Sequence, residues 1–162
     1  MLVSLLVLFL FFAAVACAAL TGVFFRPDAW YREIDKPSFT PPDWVFPPAW
    51  TVLYAMIAIA GFVLWYKVGF AAAPWAFAFY FLQIGLNAAW SPLFFGAKRP
   101  DLAMLDIAAL WLAIVATIIA FSQFSLTAAF LLVPYLLWVT FAAALTVSIW
   151  RLNRGEPRRR VG

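Results

Sequence analysis

Among the residues of this chain that could do chemistry, Asp106 is the acid set deepest into an apolar segment. An ionisable group at membrane depth is costly and is a functional candidate by default. It follows Asp101 by five residues, roughly 7–8 Å along a helix rising ~1.5 Å per residue, so it stays near a headgroup boundary. There water, Lys98 or Arg99 could reach it, and the N-terminus of a helix favours a carboxylate. Asp106 therefore reads first as an anchor and second as a proton carrier. One acid without a partner base makes poor machinery for a proton-coupled pump.

The uncharged polar groups are better placed. Gln83, Asn87 and either Trp90 or Ser91 recur at helical spacing and share a face. Amides in lipid must find partners, at a helix interface or on a ligand. Gly85 and Ala89, on another face, offer a close-packing surface for a further helix or a second protomer. The nine tryptophans are the main anomaly. Trp44, Trp75 and Trp150 fall at the ends of apolar runs, where interfacial anchoring explains them. Trp50, Trp90 and Trp138 lie one or two turns deeper. Phe46, Trp50 and Tyr54 form an i, i+4, i+8 stripe, and Tyr135, Trp138, Ala142 and Leu145 share a second face. Such stripes serve either as plain packing or as the walls of a pocket for a large planar apolar ligand that stacks on indole faces.

The elements that must carry these stripes follow from composition. Of 162 residues, 67% are apolar, 20% aromatic and 11% charged, against about 45–50% apolar and about 25% charged in a soluble domain. Residues 1–25, 44–66, 68–97 and 107–150 contain no Asp, Glu, Lys or Arg. A membrane crossing takes roughly 20 apolar residues, so the chain is read as an all-α membrane protein, a bundle of five transmembrane helices. The spans are placed at about 2–25, 44–66, 74–95, 101–121 and 126–150, in one domain. Pro134 is positioned to kink the last. Residues 26–43 form a stiffened loop, with proline at 27, 37, 41 and 42 fixing φ. Residues 152–162 form a basic tail. The first run is longer than a signal peptide's apolar core and lacks a positive n-region.

Five spans put the loop at 26–43, the turn at 97–100 and the C-terminal tail on one side. They carry three, two and five Lys or Arg respectively, against a single Lys67 on the other side. The positive-inside rule then orients the N-terminus out and the C-terminus in, facing the cytoplasm. The absence of histidine excludes Ser-His-Asp catalysis and imidazole metal sites, and the lone Cys17 excludes a thiolate cluster. No metal site and no nucleic-acid site is expected; the basic tail reads as a cytoplasmic flank of a membrane helix.

Several segments, in order, resemble the TspO/MBR family of tryptophan-rich sensory proteins and mitochondrial translocator proteins. They are Trp30-Tyr31, Lys36-Pro37-Ser38-Phe39-Thr40-Pro41-Pro42, Trp44-Val45-Phe46, Trp50-Thr51-Val52-Leu53-Tyr54, Asn87-Ala88-Ala89-Trp90, Phe94-Phe95-Gly96, Asp106 and Pro134-Tyr135-Leu136-Leu137-Trp138. The likeness covers about residues 20–153. It implies five helices, a homodimer, and a cavity under a lid made by the first loop. It also implies porphyrins such as protoporphyrin IX as ligands rather than as resident cofactors, with sterols and synthetic drugs in some members. By this resemblance Trp50 and Trp138 are pocket tryptophans for porphyrin and its light-dependent breakdown. Phe46, Tyr54, Asn87, Trp90, Ala142 and Leu145 line the same cavity, and Trp30 belongs to the lid. Phe39 stands where the family often has Trp. Val147 stands where animal members have Tyr in a sterol motif, which predicts weak cholesterol recognition and a bacterial member.

The function expected is that of a membrane receptor or sensor for porphyrins. The macrocycle would stack on Trp50 and Trp138, Asn87 would bond a polar edge, and Arg32 or Lys36 would meet propionates. The alternatives are a transporter of porphyrin or sterol-like molecules, and photo-oxidative porphyrin degradation. Transport is disfavoured by the absence of an internal repeat. Degradation is the one enzymatic reading, because no acid–base pair is present. Which bacterial membrane holds the protein is left open.

Overall fold

The structure, a computed structural model, describes residues 1–154. The arginines at 158–160 and most of the basic tail lie outside the described residues. Among the described residues all regular structure is helical: α1 (Leu2–Phe24), α2 (Ala29–Glu33), α3 (Phe46–Ala72), α4 (Pro74–Ser91), α5 (Pro100–Ser122), α6 (Leu126–Leu131) and α7 (Val133–Asn153). Four stretches are long and apolar enough to cross a membrane: Leu2–Phe24, Asp43–Ala72, Pro100–Ser122 and Leu126–Asn153. Helix α4 has 18 residues, and its Tyr80, Gln83 and Asn87 lower its hydropathy while being buried in the bundle. Large apolar side chains such as Phe9, Leu105, Leu112 and Leu137 are exposed on the outside. That inversion of the soluble pattern is what a lipid-facing surface requires.

Local chemistry sets the helix ends. Pro47 and Pro48 occupy the first turn of α3, where their missing N–H groups cost nothing. Asp43 opens the preceding 3-10 turn, Asp43–Val45, and does not cap α3 through its side chain. The sequence predicts that this helix stops near Tyr66. Gly69, at φ 72° and ψ 173°, does break the helical run, but one further turn carries it to Ala72. A left-handed φ is cheap only for glycine. Helix α4 ends at Ser91 and continues as a wide π-turn over Pro92–Gly96, accounting for the rest of the predicted 74–95 span. The last predicted span is two helices. Pro134 supplies no N–H to continue the helical ladder, and the chain steps two residues before it, at Leu132, between α6 and α7. Ser125 caps α6, its Oγ accepting from Ala128 N at 3.3 Å.

Helix α1 packs on α3 and α4, α4 on α5, and α5 on α6 and α7, while α6 closes the ring against α3. Helices α3 and α7 touch only sparsely. Gly85 has open space where a side chain would stand, so α4 is uncovered at that position among the described residues.

Candidate ligand-binding site

The aromatic stripes meet at the end of the bundle that carries the 26–43 loop. From α3, Tyr54 donates its hydroxyl to Asn87 Oδ1 at 2.6 Å. From α4, Asn87 Nδ2 donates to the Tyr135 hydroxyl of α7 at 3.0 Å. Asn87 thus joins three helices through one amide. Trp50 stacks on Tyr54 with centroids 5.2 Å apart. Its ring also meets Trp138 at 6.4 Å and 83° and Tyr135 at 6.3 Å. Phe46 stands edge-on to Trp138 at 6.0 Å. These offset and edge geometries are the favourable ones for aromatic quadrupoles.

A second group lies between these rings and the loop. Trp90 stacks on Phe94 at 4.9 Å, and Trp30 meets Phe94 edge-on at 5.9 Å. Tyr31 is buried against Phe95 at 5.3 Å. Leu145, Ile149 and Ala103 complete the group, with Phe46 and Trp90 packed against it. Trp90 also packs against the main core, as do Trp50, Tyr54, Trp138 and Ala142. Phe46, through Trp138, and Trp90 join the two groups, so all nine residues singled out from the sequence fall in one continuous body. Phe94, Tyr31 and Tyr135 belong to it too. Phe94 could have been found as the i+4 partner of Trp90; Tyr135 stood on the second stripe, and its hydroxyl is the partner that the Asn87 amide takes.

The 26–43 loop is built, not slack. Asp28 caps α2, with Oδ1 accepting from Tyr31 N at 3.1 Å. Its other oxygen pairs with Lys98 Nζ at 3.1 Å. That contact, first, and the Tyr31 amide, second, hold the Asp28 carboxyl below its ordinary value. Burial pushes the Tyr31 phenol up. Lys36 donates to the carbonyls of Tyr31 at 2.5 Å, Ile34 at 3.1 Å and Arg32 at 3.3 Å, and its ammonium lies 4.7 Å from the Tyr31 ring centroid. Lys36 is therefore committed to the loop's own fold. Arg32, the other predicted propionate partner, is exposed and carries no ion pair among the described residues.

Asp106 is half-buried, and neither basic neighbour reaches it. Arg99 makes a two-pronged contact with Asp101 at 2.6 and 2.8 Å, and Lys98 is paired with Asp28. The left-handed backbone of Lys98, at φ 54°, turns the chain between α4 and α5 and brings Lys98 to the loop. Asp106 Oδ2, Trp90 Nε1 and both amide atoms of Gln83 are buried without a hydrogen-bond partner among the described residues. A groove of about 650 Å³ opens between α3 and α7, lined by Val52, Met56, Pro134, Leu137, Trp138 and Phe141 among others. Of the nine predicted residues, Trp138 borders it.

Residues 6–151 match the family model described as TspO/MBR family. The chain belongs to the TspO/MBR family. It is 42% identical over 154 residues to Protein CrtK of Rhodobacter capsulatus, covering 94% of this chain and 96% of that one. It is 42% identical over 150 residues to the tryptophan-rich sensory protein of Cereibacter sphaeroides, covering 93% of each. It is 38% identical over 130 residues to the human translocator protein, covering 78% of this chain and 76% of that one. The matched TspO/MBR region, residues 6–151, contains the loop and both aromatic groups and reaches into all four candidate membrane stretches.

Proposed function

We propose that this protein is a membrane receptor for porphyrins of the protoporphyrin IX type, bound among the aromatic rings at the loop end of the bundle. The observation that carries the reading is the convergence of Trp50, Trp138, Tyr54 and Asn87 from three helices. Flat indole faces beside an amide suit a planar apolar macrocycle with a polar edge. Trp30 and Tyr31 cover the mouth, and Arg32 meets a propionate there. Burying apolar ligand surface gains about 25 cal/mol per Å² before ordering costs, enough for micromolar affinity, about −8 kcal/mol.

In this reading α4 with its π-turn is the fifth crossing, which leaves the N-terminus outside and the loop and C-terminus in the cytoplasm. A second copy of the chain packs on the open Gly85 face of α4. Protoporphyrin IX added to the purified protein saturably quenches tryptophan fluorescence. Changing Trp50→Phe and Trp138→Phe together weakens affinity at least tenfold, about 1.4 kcal/mol. Unchanged affinity in that double variant places the ligand elsewhere.

A further inference from the structure

The 26–43 loop is fastened at its tip by a side chain that sequence reasoning did not single out. Asn153, the last residue of α7, uses all of its amide. Oδ1 accepts from the Asp35 backbone N–H at 3.1 Å. Nδ2 donates to the Asp35 carbonyl at 2.9 Å and to the Ile149 carbonyl at 2.8 Å. An amide can accept at one end and donate two protons at the other, so the partners fix its orientation. A carboxylate could keep the Asp35 N–H bond and would lose both donated ones.

The other fastenings differ in kind. Asp28–Lys98 is an ion pair with both side chains more than 40% exposed, where salt screens it; the Asn153–Asp35 bonds are solvent-exposed too, but they are uncharged and two-pronged, so salt leaves them alone. Tyr31 is a plug, held by burial against Phe94 and Phe95. Lys36 ties α2 to the residues that follow it, so this part of the loop moves as one piece. Its ends are the proline-marked segments near Pro27 and Pro41-Pro42. The Asn153 contact therefore joins a preformed flap to the helix that also carries Trp138, Ala142 and Leu145. Ile149, whose carbonyl Asn153 holds, packs in the same cluster as Tyr31 and Leu145.

We infer that Asn153 is the clasp of this flap: opening the mouth requires breaking the Asn153–Asp35 pair, and ligand exchange is timed there. Asn153 is a positioning residue that touches no ligand. The statement about ligand exchange rests on the porphyrin reading above; the clasp itself does not, and is measured without ligand.

Hydrogen exchange of the purified full chain is followed at residues 30–36. Asn153→Leu accelerates exchange of the Asp35 amide at least tenfold. Asn153→Asp, which keeps that amide's acceptor, accelerates it less. With protoporphyrin IX, Asn153→Leu raises association and dissociation rates by the same factor and leaves Kd within about twofold, as a gate must. Unchanged exchange at Asp35 in both variants overturns the clasp. A changed Kd with one rate unaltered overturns the gate, since Asn153 would then act on the pocket. A wild type that binds no porphyrin defeats the receptor reading and leaves the exchange result standing.

Discussion

The bundle has two aromatic clusters, and they differ in a way that composition conceals. Away from the loop, Phe11, Phe70, Phe77, Tyr80 and Phe121 pack ring against ring. Phe70 and Phe77 lie 4.6 Å apart, and Tyr80 stacks on Phe121 at 5.7 Å. Gly61 admits the close approach: a Cβ there would stand 2.6 Å from ring atoms of both Phe11 and Tyr80. Apart from Phe70 these rings are almost wholly buried, and the cluster's one hydroxyl, on Tyr80, bonds the Ile57 carbonyl at 3.0 Å. The loop-end cluster mixes Trp, Tyr and Asn with Phe46, Phe94 and Phe95, and most of its rings are only partly buried. Its polar handles are either shared among helices, as at Asn87, or without a partner among the described residues, as at Trp90. Aromatic rings thus serve close packing at one end and adaptable polar surface at the other.

The largest expected effect falls on the phenyl cluster. Phe121 is fully buried, and Phe121→Ala removes a packed ring at a cost of about 3–5 kcal/mol in soluble cores. Thermal melting in detergent should drop sharply, while protoporphyrin IX affinity of the folded fraction stays unchanged. A large loss of affinity would erase the contrast between the two ends.

Next comes Asn87→Leu. It strands the hydroxyls of Tyr54 and Tyr135, and Tyr135 is fully buried. A buried group left unpaired costs about 1–3 kcal/mol. Adding Tyr54→Phe and Tyr135→Phe should recover most of the lost stability by removing the stranded groups, but not the ligand affinity. Recovery of both would make Asn87 interhelical glue and nothing more.

These two variants also mark how far the sequence could be read. The i, i+4, i+8 spacing of Phe46, Trp50 and Tyr54 placed them on one face of α3, and that periodicity survives any error in helix ends. The stops were harder. Gly69 interrupts α3 as a glycine can, yet the chain had enough apolar residues to turn once more before Pro74. Helix α4 unwinds into a π-turn at Pro92, a feature with no spacing signature. Long-range pairings were not legible at all. Lys98–Asp28 and Asn153–Asp35 join residues far apart in the chain, and no local pattern marks which cation or amide will find which loop. The same blindness assigned Lys98 or Arg99 to Asp106 by proximity, whereas a two-residue spacing let Arg99 grip Asp101 and a left-handed Lys98 turned toward the loop. Lys36 was offered to a propionate because its backbone partners within the loop cannot be seen before the loop is folded.

Gln83→Leu separates the two ends more finely. Gln83 is 1% exposed and both its amide atoms lack partners among the described residues, so replacing them by an apolar group of similar size should raise stability by about 1–2 kcal/mol. Gln83 stands one turn before Asn87 on α4, so if that face keeps a polar group for a ligand, the gain in melting temperature comes with weaker porphyrin binding, the usual trade between stability and a functional site. A variant that melts earlier would show that the amide is already satisfied within the bundle.

The smallest effect belongs to Asp28. Its carboxyl lies below the ordinary range chiefly because Lys98 bonds it, and the pair is solvent-exposed, so it contributes less than about 1 kcal/mol. The sign follows from linkage. A carboxylate with a depressed folded-state midpoint adds stability that is complete above its unfolded midpoint, about pH 4, and fades as pH falls through the lower folded one. Carbon-13 titration of the side-chain carboxyl should therefore give a midpoint below that of an ordinary aspartate, moving upward in Lys98→Met. Asp28→Asn keeps an acceptor for the Tyr31 amide while losing the charge. It should loosen the loop slightly at pH 7, by less than Asn153→Leu does. If Asp28→Asn opened the loop more than loss of Asn153, the exposed ion pair, and not the amide at the tip, would be what holds the mouth closed.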